Sequence, residues 1–172
     1  MPAGLEIERK YLIRMPDEAF LATVQGASVA NITQTYLVPA IPRQTERVRK
    51  SEKGGKTVYT HTVKISAKNI VRYEEENAIS EEQYNEYLKR ADKELSPIVK
   101  RRWKIPMEKG LYAEIDIYPF WKKQAICEVE TETVEQTYTL PNFIEVIREV
   151  SEDKDYTNRS MAFFAPLEDE NL

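Results

Sequence analysis

The chain has 172 residues, 41% of them hydrophobic and 31% charged, with 25 Lys+Arg against 29 Asp+Glu for a formal net charge of -4. That length and apolar content fit one folded domain over 1–172 and exclude wholesale disorder, while the near-balanced charge gives no general reason for nucleic-acid or membrane-surface binding. No apolar run spans a bilayer, the first ten residues lack the apolar stretch of a secretory leader, and the single Cys127 excludes a disulfide framework or Cys-rich zinc site, so a cytoplasmic protein is expected.

In chain order, period-two alternation predicts a first strand over Leu5–Ile13. A helix over Pro16–Val24 follows, with Phe20, Leu21 and Val24 as its apolar stripe. Strands over Ile32–Val38 and Thr45–Ser51 come next, then a tight turn at Gly54-Gly55 into Thr57–Ile65 and a further strand over Ile70–Ile79. Ser80–Asp92 reads as a helix opened by the capping box Ser80-Glu81-Glu82-Gln83, with Tyr84, Tyr87, Leu88 and Ala91 on one face. Strands over Ile98–Ile105 and Leu111–Tyr118 flank a turn at Lys109-Gly110, and Ala125–Glu132 and Ile144–Val150 complete the set. A closing helix over Tyr156–Ala165 would cover Tyr156, Met161, Phe163 and Phe164. Short connections favour antiparallel pairing, so the expected class is mainly β (α+β) with a few helices packed outside.

Several chemistries are absent. The lone His61 removes HExxH zinc sites, and no GxSxG or GxGxxG occurs. Gly55-Lys56-Thr57 resembles the end of a phosphate-binding loop, but Lys50 stands where its first glycine is required. His61 and Cys127 share the parity of Val63 and Val129, which makes them packing residues. Glu168-Asp169-Glu170 reads as a solvated end.

The informative feature is one parity of the strands. Glu6, Glu8 and Lys10 alternate with Ile7, and further strands carry Arg47 and Arg49, Thr62 and Lys64, and Arg72, Glu74 and Glu76. Lys100 and Arg102, Glu114 and Asp116, and Glu128 and Glu130 follow. The opposite parity holds Val48, Val63, Val99, Trp103, Ile115, Ile117 and Val129. A solvated sheet face also alternates, but it mixes signs and small polar groups. Here like charges recur one pleat apart, strand after strand. The alternative is a closed eight-stranded antiparallel barrel with a charged lumen and apolar residues facing outward under the helices. Lys10, Arg47, Arg49, Lys64, Lys100 and Arg102 suit a polyphosphate, because guanidinium forks and ammonium groups match phosphate oxygens. Glu6, Glu8, Asp116, Glu128 and Glu130 suit a hard divalent cation such as Mg2+ or Mn2+.

Glu6-Ile7-Glu8-Arg9-Lys10 is an ExExK motif, and it resembles the CYTH superfamily, the triphosphate tunnel metalloenzymes. The resemblance continues in order through Thr33-Gln34-Thr35-Tyr36-Leu37, Arg47-Val48-Arg49, Thr62-Val63-Lys64 and Glu74-Glu75-Glu76. It then takes in Lys100-Arg101-Arg102-Trp103, Glu114-Ile115-Asp116, Glu128-Val129-Glu130 and the stretch from Glu149 to Asn158. It implies a triphosphate tunnel in which Glu6, Glu8, Asp116, Glu128 and Glu130 hold divalent metal. Lys10, Arg47, Arg49, Lys64, Lys100 and Arg102 would grip phosphate, with Lys154 as a further C-terminal contact. By the resemblance Tyr36 matches a tyrosine proposed to have an active-site role in related bacterial enzymes, although here Thr35 replaces their usual glycine and leaves its orientation open.

The function expected is metal-dependent hydrolysis of a triphosphate, inorganic tripolyphosphate being favoured because no insertion is suited to hold a base or thiazolium ring. Tyr36, Glu128 and Glu130 are the candidates for ordering the attacking water. A class IV adenylyl cyclase and a non-catalytic polyphosphate-binding module are the rival readings. Beyond a small-molecule triphosphate, neither nucleic acid nor membrane is expected as a partner, and a homodimer is allowed.

Overall fold

Strand pairing closes on itself in the computed structural model, which describes residues 4–68 (66–68 through their backbone) and 70–172; residues 1–3 and 69 of the expected 1–172 domain lie outside it. The strands are β1 (Gly4–Arg14), β2 (Ser28–Tyr36), β3 (Thr45–Lys53), β4 (Lys56–Lys68), β5 (Val71–Ile79), β6 (Ile98–Pro106), β7 (Tyr112–Ile117), β8 (Gln124–Glu130) and β9 (Val146–Glu149). They lie in the order β5-β4-β3-β2-β6-β7-β8-β1-β9, and β5 also pairs with β1. The first eight strands therefore form a closed, mainly antiparallel barrel. β1 is the seam. Its start pairs with β5, as in Glu6↔Arg72, while Glu8 onward pairs with β8 and Tyr11–Ile13 also pair with β9.

Local sequence explains the joints. Gly54 and Gly55 both take positive φ, at 56° and 77°, giving the hairpin turn whose twist matches its strands. Lys109, at φ 60°, and Gly110, at φ 72°, make the turn between β6 and β7. Helix α1 (Glu18–Leu21) is capped by Asp17, and α2 (Glu81–Leu88) has the complete capping box between Ser80 and Gln83. α3 (Asn158–Phe163) follows a 3-10 turn over Lys154–Tyr156 and is capped by Thr157.

The outer faces carry two apolar layers. Ile13, Trp103, Ile105, Ile115, Ile117, Ala125 and Cys127 pack beneath α1 and Ile144. Val48 packs with Tyr84 of α2, and Tyr59, Ile79, Tyr87 and Leu88 join them. A third cluster lies on the charged parity. Leu12 follows Lys10, Ile98 precedes Lys100, Tyr118 follows Asp116 and Ile126 precedes Glu128; these four pack with Trp121, Val150, Tyr156 and Met161. One end of the barrel interior is thus filled with apolar side chains from the wall and from the C-terminal segment.

Several expectations shift. β2 begins at Ser28 rather than Ile32, because its first residues pair with β6 through Ser28↔Lys104 and Val29↔Trp103. β9 is shorter than Ile144–Val150, and all three helices are shorter than expected. Tyr156 and Met161 are buried, but Phe163 and Phe164 remain exposed at 73% and 65%, so the closing helix covers half of what was assigned to it. Glu168 is not a free tail: its Oε1 accepts from the backbone N–H groups of Lys122, Lys123 and Gln124. Among the described residues no helix is long and apolar enough to cross a membrane.

Candidate active site

The rest of the barrel interior is a polar cavity of about 570 Å³. Of the residues singled out in the sequence, Glu6, Glu8, Lys10, Tyr36, Arg47, Arg49, Lys64, Arg102, Glu128, Glu130 and Lys154 all border it. They come from six barrel strands and the 3-10 turn before α3. Lys100 and Asp116 do not border it. They lie behind Arg102 at the junction with the apolar plug, 1% and 0% exposed. Lys100 Nζ stands 2.7 Å from Asp116 Oδ2, and Arg102 sends Nε to Oδ1 at 2.6 Å and Nη2 to Oδ2 at 2.7 Å. Burial pushes the Asp116 carboxyl up, but Arg102 and Lys100 outweigh it and hold it below its ordinary range. Burial, then the Arg102 charge, pulls Lys100 down to about 7.

The cations crowd one another. Burial, then the charges of Arg47 and Arg102, pulls Arg49 down to about 10. Arg47 is 8% exposed, and its Nε is buried with no hydrogen-bond partner among the described residues. A buried guanidinium edge without an acceptor is costly, and a phosphate oxygen is the acceptor its geometry suits. Gln34, which is 0% exposed, takes Arg49 Nε at 3.2 Å and Nη2 at 2.9 Å on its Oε1, and gives Nε2 to the Tyr36 hydroxyl at 3.0 Å. Thr35 points the other way, beside Val48 on the neighbouring strand. Replacing the glycine therefore leaves Tyr36 on the cavity.

The carboxylates crowd as well. Glu8 stands directly opposite Glu130 in the β1–β8 ladder, and Lys10 opposite Glu128. Like charges directly opposite across a ladder repel. Burial, followed by the Glu128 charge, pushes Glu8 up to about 8. Burial also raises Glu128, but Lys10, Arg102 and Lys100 outweigh it and hold that carboxyl well below its ordinary range. The Glu128 carboxylate lies 3.6 Å from Lys10 Nζ and 3.1 Å from Arg102 Nη2. Burial, then Glu6, Glu114 and Glu74, raises the exposed Glu130. Lys64 bridges Glu6 at 2.8 Å and Glu74 at 3.3 Å. Among the described residues, no three His, Cys, Asp or Glu side chains as placed form a metal cage. The donors nonetheless fit a hard divalent cation: all are carboxylate oxygens, and the Glu8 and Glu128 carboxyls lie close enough for the Glu128 charge to push Glu8 up, a repulsion that a cation would relieve.

Strand alternation placed Arg72, Glu74, Glu76 and Glu114 on this parity without giving them a role, and all four border the cavity. Arg43 borders it from a loop, where no periodicity announces a side-chain direction, and Arg159 from the first turn of α3, a helix read only for its apolar residues. His61 lies on the outer face as expected, stacked on Tyr87 at 4.3 Å, with Nε2 2.8 Å from Glu46.

No family model and no curated protein sequence matches the chain. Solved structures do. The inorganic triphosphatase NE1496 is 25% identical with a TM-score of 0.58, the match covering 94% of this chain and 97% of that one. PH1819 from Pyrococcus horikoshii OT3 is 23% identical with a TM-score of 0.57, covering 76% and 80%. HpAC1 from Hippeastrum, a candidate adenylyl cyclase with a dominant triphosphatase activity, is 13% identical with a TM-score of 0.51, covering 74% and 80%. The last two likenesses concern the fold alone.

Proposed function

We propose that the chain is a divalent-metal-dependent triphosphatase that hydrolyses a phosphoanhydride inside the barrel, with inorganic tripolyphosphate as its favoured substrate. One observation carries the reading: Arg47, Arg49 and Arg102 act on one another in the cavity wall, Arg47 buried with an unpaired Nε, while carboxylates crowd on β1 and β8. Like charges gathered on each side ask for a ligand bearing the opposite charge on each side. A polyphosphate with Mg2+ or Mn2+ is such a ligand. The likeness to the inorganic triphosphatase NE1496 supports the same reading.

Lys10, Arg47, Arg49, Lys64 and Arg102 would grip phosphate oxygens and offset the charge that spreads over the transferred group. Lys154 adds a cation at the 3-10 turn. Lys100 and Asp116 serve from behind, holding the Arg102 fork. Glu6, Glu8, Glu128 and Glu130 would hold the metal, which when bound polarises phosphate oxygens and activates water. Tyr36, Glu128 and Glu130 would order that water. Tyr36 supplies the one aromatic ring on the described cavity wall, and it is 4% exposed. Little ring face is therefore open for a nucleobase to stack on, which favours an inorganic chain.

The test is a panel of tripolyphosphate, ATP, GTP and thiamine triphosphate, each with Mg2+, Mn2+ and Ca2+. The expected result is phosphate release, fastest from tripolyphosphate with Mg2+ or Mn2+. Release of cyclic AMP and pyrophosphate from ATP, or tight binding without any release, would overturn it.

A further inference from the structure

Gln34 is neutral, is 0% exposed and has no surface on the cavity, yet both ends of its amide are spent on cavity residues. It stands opposite Arg49 in the β2–β3 ladder and opposite Ile98 in the β2–β6 ladder, so it is fixed from both sides. A guanidinium has donors and no acceptor, so the amide oxygen must be the end that meets Arg49 Nε and Nη2. The amide nitrogen is then the end that meets Tyr36, 3.0 Å away, and the phenolic oxygen must accept. The Arg47 guanidinium lies near enough to the same phenol to act on it electrostatically. With the Gln34 amide already donating to that oxygen, the phenolic proton is left to be given to a third partner.

We infer that Gln34 is a positioning residue that couples the substrate grip to Tyr36: it clamps the Nε edge of Arg49 and sets Tyr36 as a hydrogen-bond donor toward the bound triphosphate. Arg49 has five N–H donors, and the clamp leaves those on its far edge for phosphate oxygens. The inference rests on the triphosphate reading for its ligand, but the clamp itself exists in the free protein.

The test has two arms, and melting curves of each variant establish that it folds. In the first arm, without ligand, the Arg49 Nε–H is followed by NMR hydrogen exchange in the parent, Gln34→Leu and Gln34→Glu. The exchange should quicken at least about tenfold in Gln34→Leu, as loss of a hydrogen bond to a charged group implies, and stay slow in Gln34→Glu, which keeps the acceptor. In the second arm, kcat and KM for tripolyphosphate with Mg2+ are measured for the same variants, Tyr36→Phe and the double variant Gln34→Glu/Tyr36→Phe. In Gln34→Glu the new carboxylate draws the phenolic proton away from the ligand, so kcat should fall about tenfold. The double variant should then lose no more than Tyr36→Phe alone. Unchanged Arg49 exchange in Gln34→Leu, or fully additive losses of kcat, would overturn the inference. A parent that turns over no triphosphate would overturn the functional reading instead, with the first arm still deciding whether Gln34 holds Arg49.

Discussion

Glu128 and Glu130 differ by one pleat, and their surroundings differ more. Glu128 is 4% exposed and holds both Lys10 and Arg102, whereas Glu130 is exposed and meets mainly other carboxylates. Breaking a buried ion pair strands its partner charges, so Glu128→Gln should destabilise the metal-free protein by about 3 kcal/mol, read as a lower melting temperature. Glu130→Gln removes a repelled charge. Its metal-free melting temperature should equal or exceed the parent's, while the rise produced by Mg2+ or Mn2+ is largely lost. An undiminished rise would remove Glu130 from the metal set. On the basic side, Arg49→Ala should weaken tripolyphosphate binding at least about tenfold, the usual size of a charged hydrogen bond; calorimetric affinity within a factor of about two of the parent would refute its grip on phosphate. These charged residues were legible because their parity repeats along the sequence. Gln34 was not, because a neutral amide on the same parity gives no signal of charge. The retreat of Lys100 and Asp116 behind Arg102 was not legible either: parity fixes the side of a strand, not the depth along the barrel.

At the scale of elements, strands whose two faces differ in chemistry were read well, and segments without that contrast were not. Ser28-Val29-Ala30-Asn31 carries little contrast, and pairing with β6 alone makes it strand. α2 was legible from its capping box, and it attaches to the barrel through Glu46 of β3. Glu46 is 6% exposed and accepts from His61 of β4 and from Arg90 just beyond α2. It also accepts from the Ala40 backbone N–H at 3.0 Å, which ties down the loop that carries Arg43 to the cavity. Burial raises the Glu46 carboxyl, but the hydrogen bonds from His61, Ala40 and Arg90 outweigh it and hold it below its ordinary 4.5. A carboxyl with a lowered folded value stabilises fully above its unfolded value and loses that contribution as pH falls through the folded one. Metal-free stability should therefore decline below about pH 4.5, and Glu46→Gln should flatten that acid limb while lowering stability at pH 7. Urea unfolding of both proteins from pH 3 to pH 7 measures this. Parallel curves would show that Glu46 is not the group responsible.

For the molecule as a whole, closure follows from no single strand. Each strand taken alone is compatible with one wet face, and only the recurrence of like charges on one parity requires an enclosed interior. The apolar plug was hidden for the opposite reason: Leu12, Ile98, Tyr118 and Ile126 share the charged parity and look like interruptions until the barrel aligns them at one end. The closed wall then confines two sets of like charges, one around Arg47, Arg49 and Arg102 and one around Glu6, Glu8 and Glu130, which ion pairs such as Lys64–Glu6 and Arg102–Asp116 offset only in part. Tripolyphosphate alone offsets the first set but adds anions near the second, and a divalent cation alone does the reverse. Together they answer both sets and each other. Their effects should consequently be coupled, each ligand raising the affinity for the other by the same factor. In thermal melts over a grid of tripolyphosphate and Ca2+ concentrations, if Ca2+ binds without supporting turnover, the rise with both ligands should exceed the sum of the separate rises. The apparent tripolyphosphate affinity, corrected for the complex the two form in solution, should tighten at least about tenfold as the cation saturates. Strictly additive rises would mean that the two ligands do not meet inside the barrel, and the carboxylates of β1 and β8 would then have to be assigned a purely structural role against Lys10, Lys64 and Arg102.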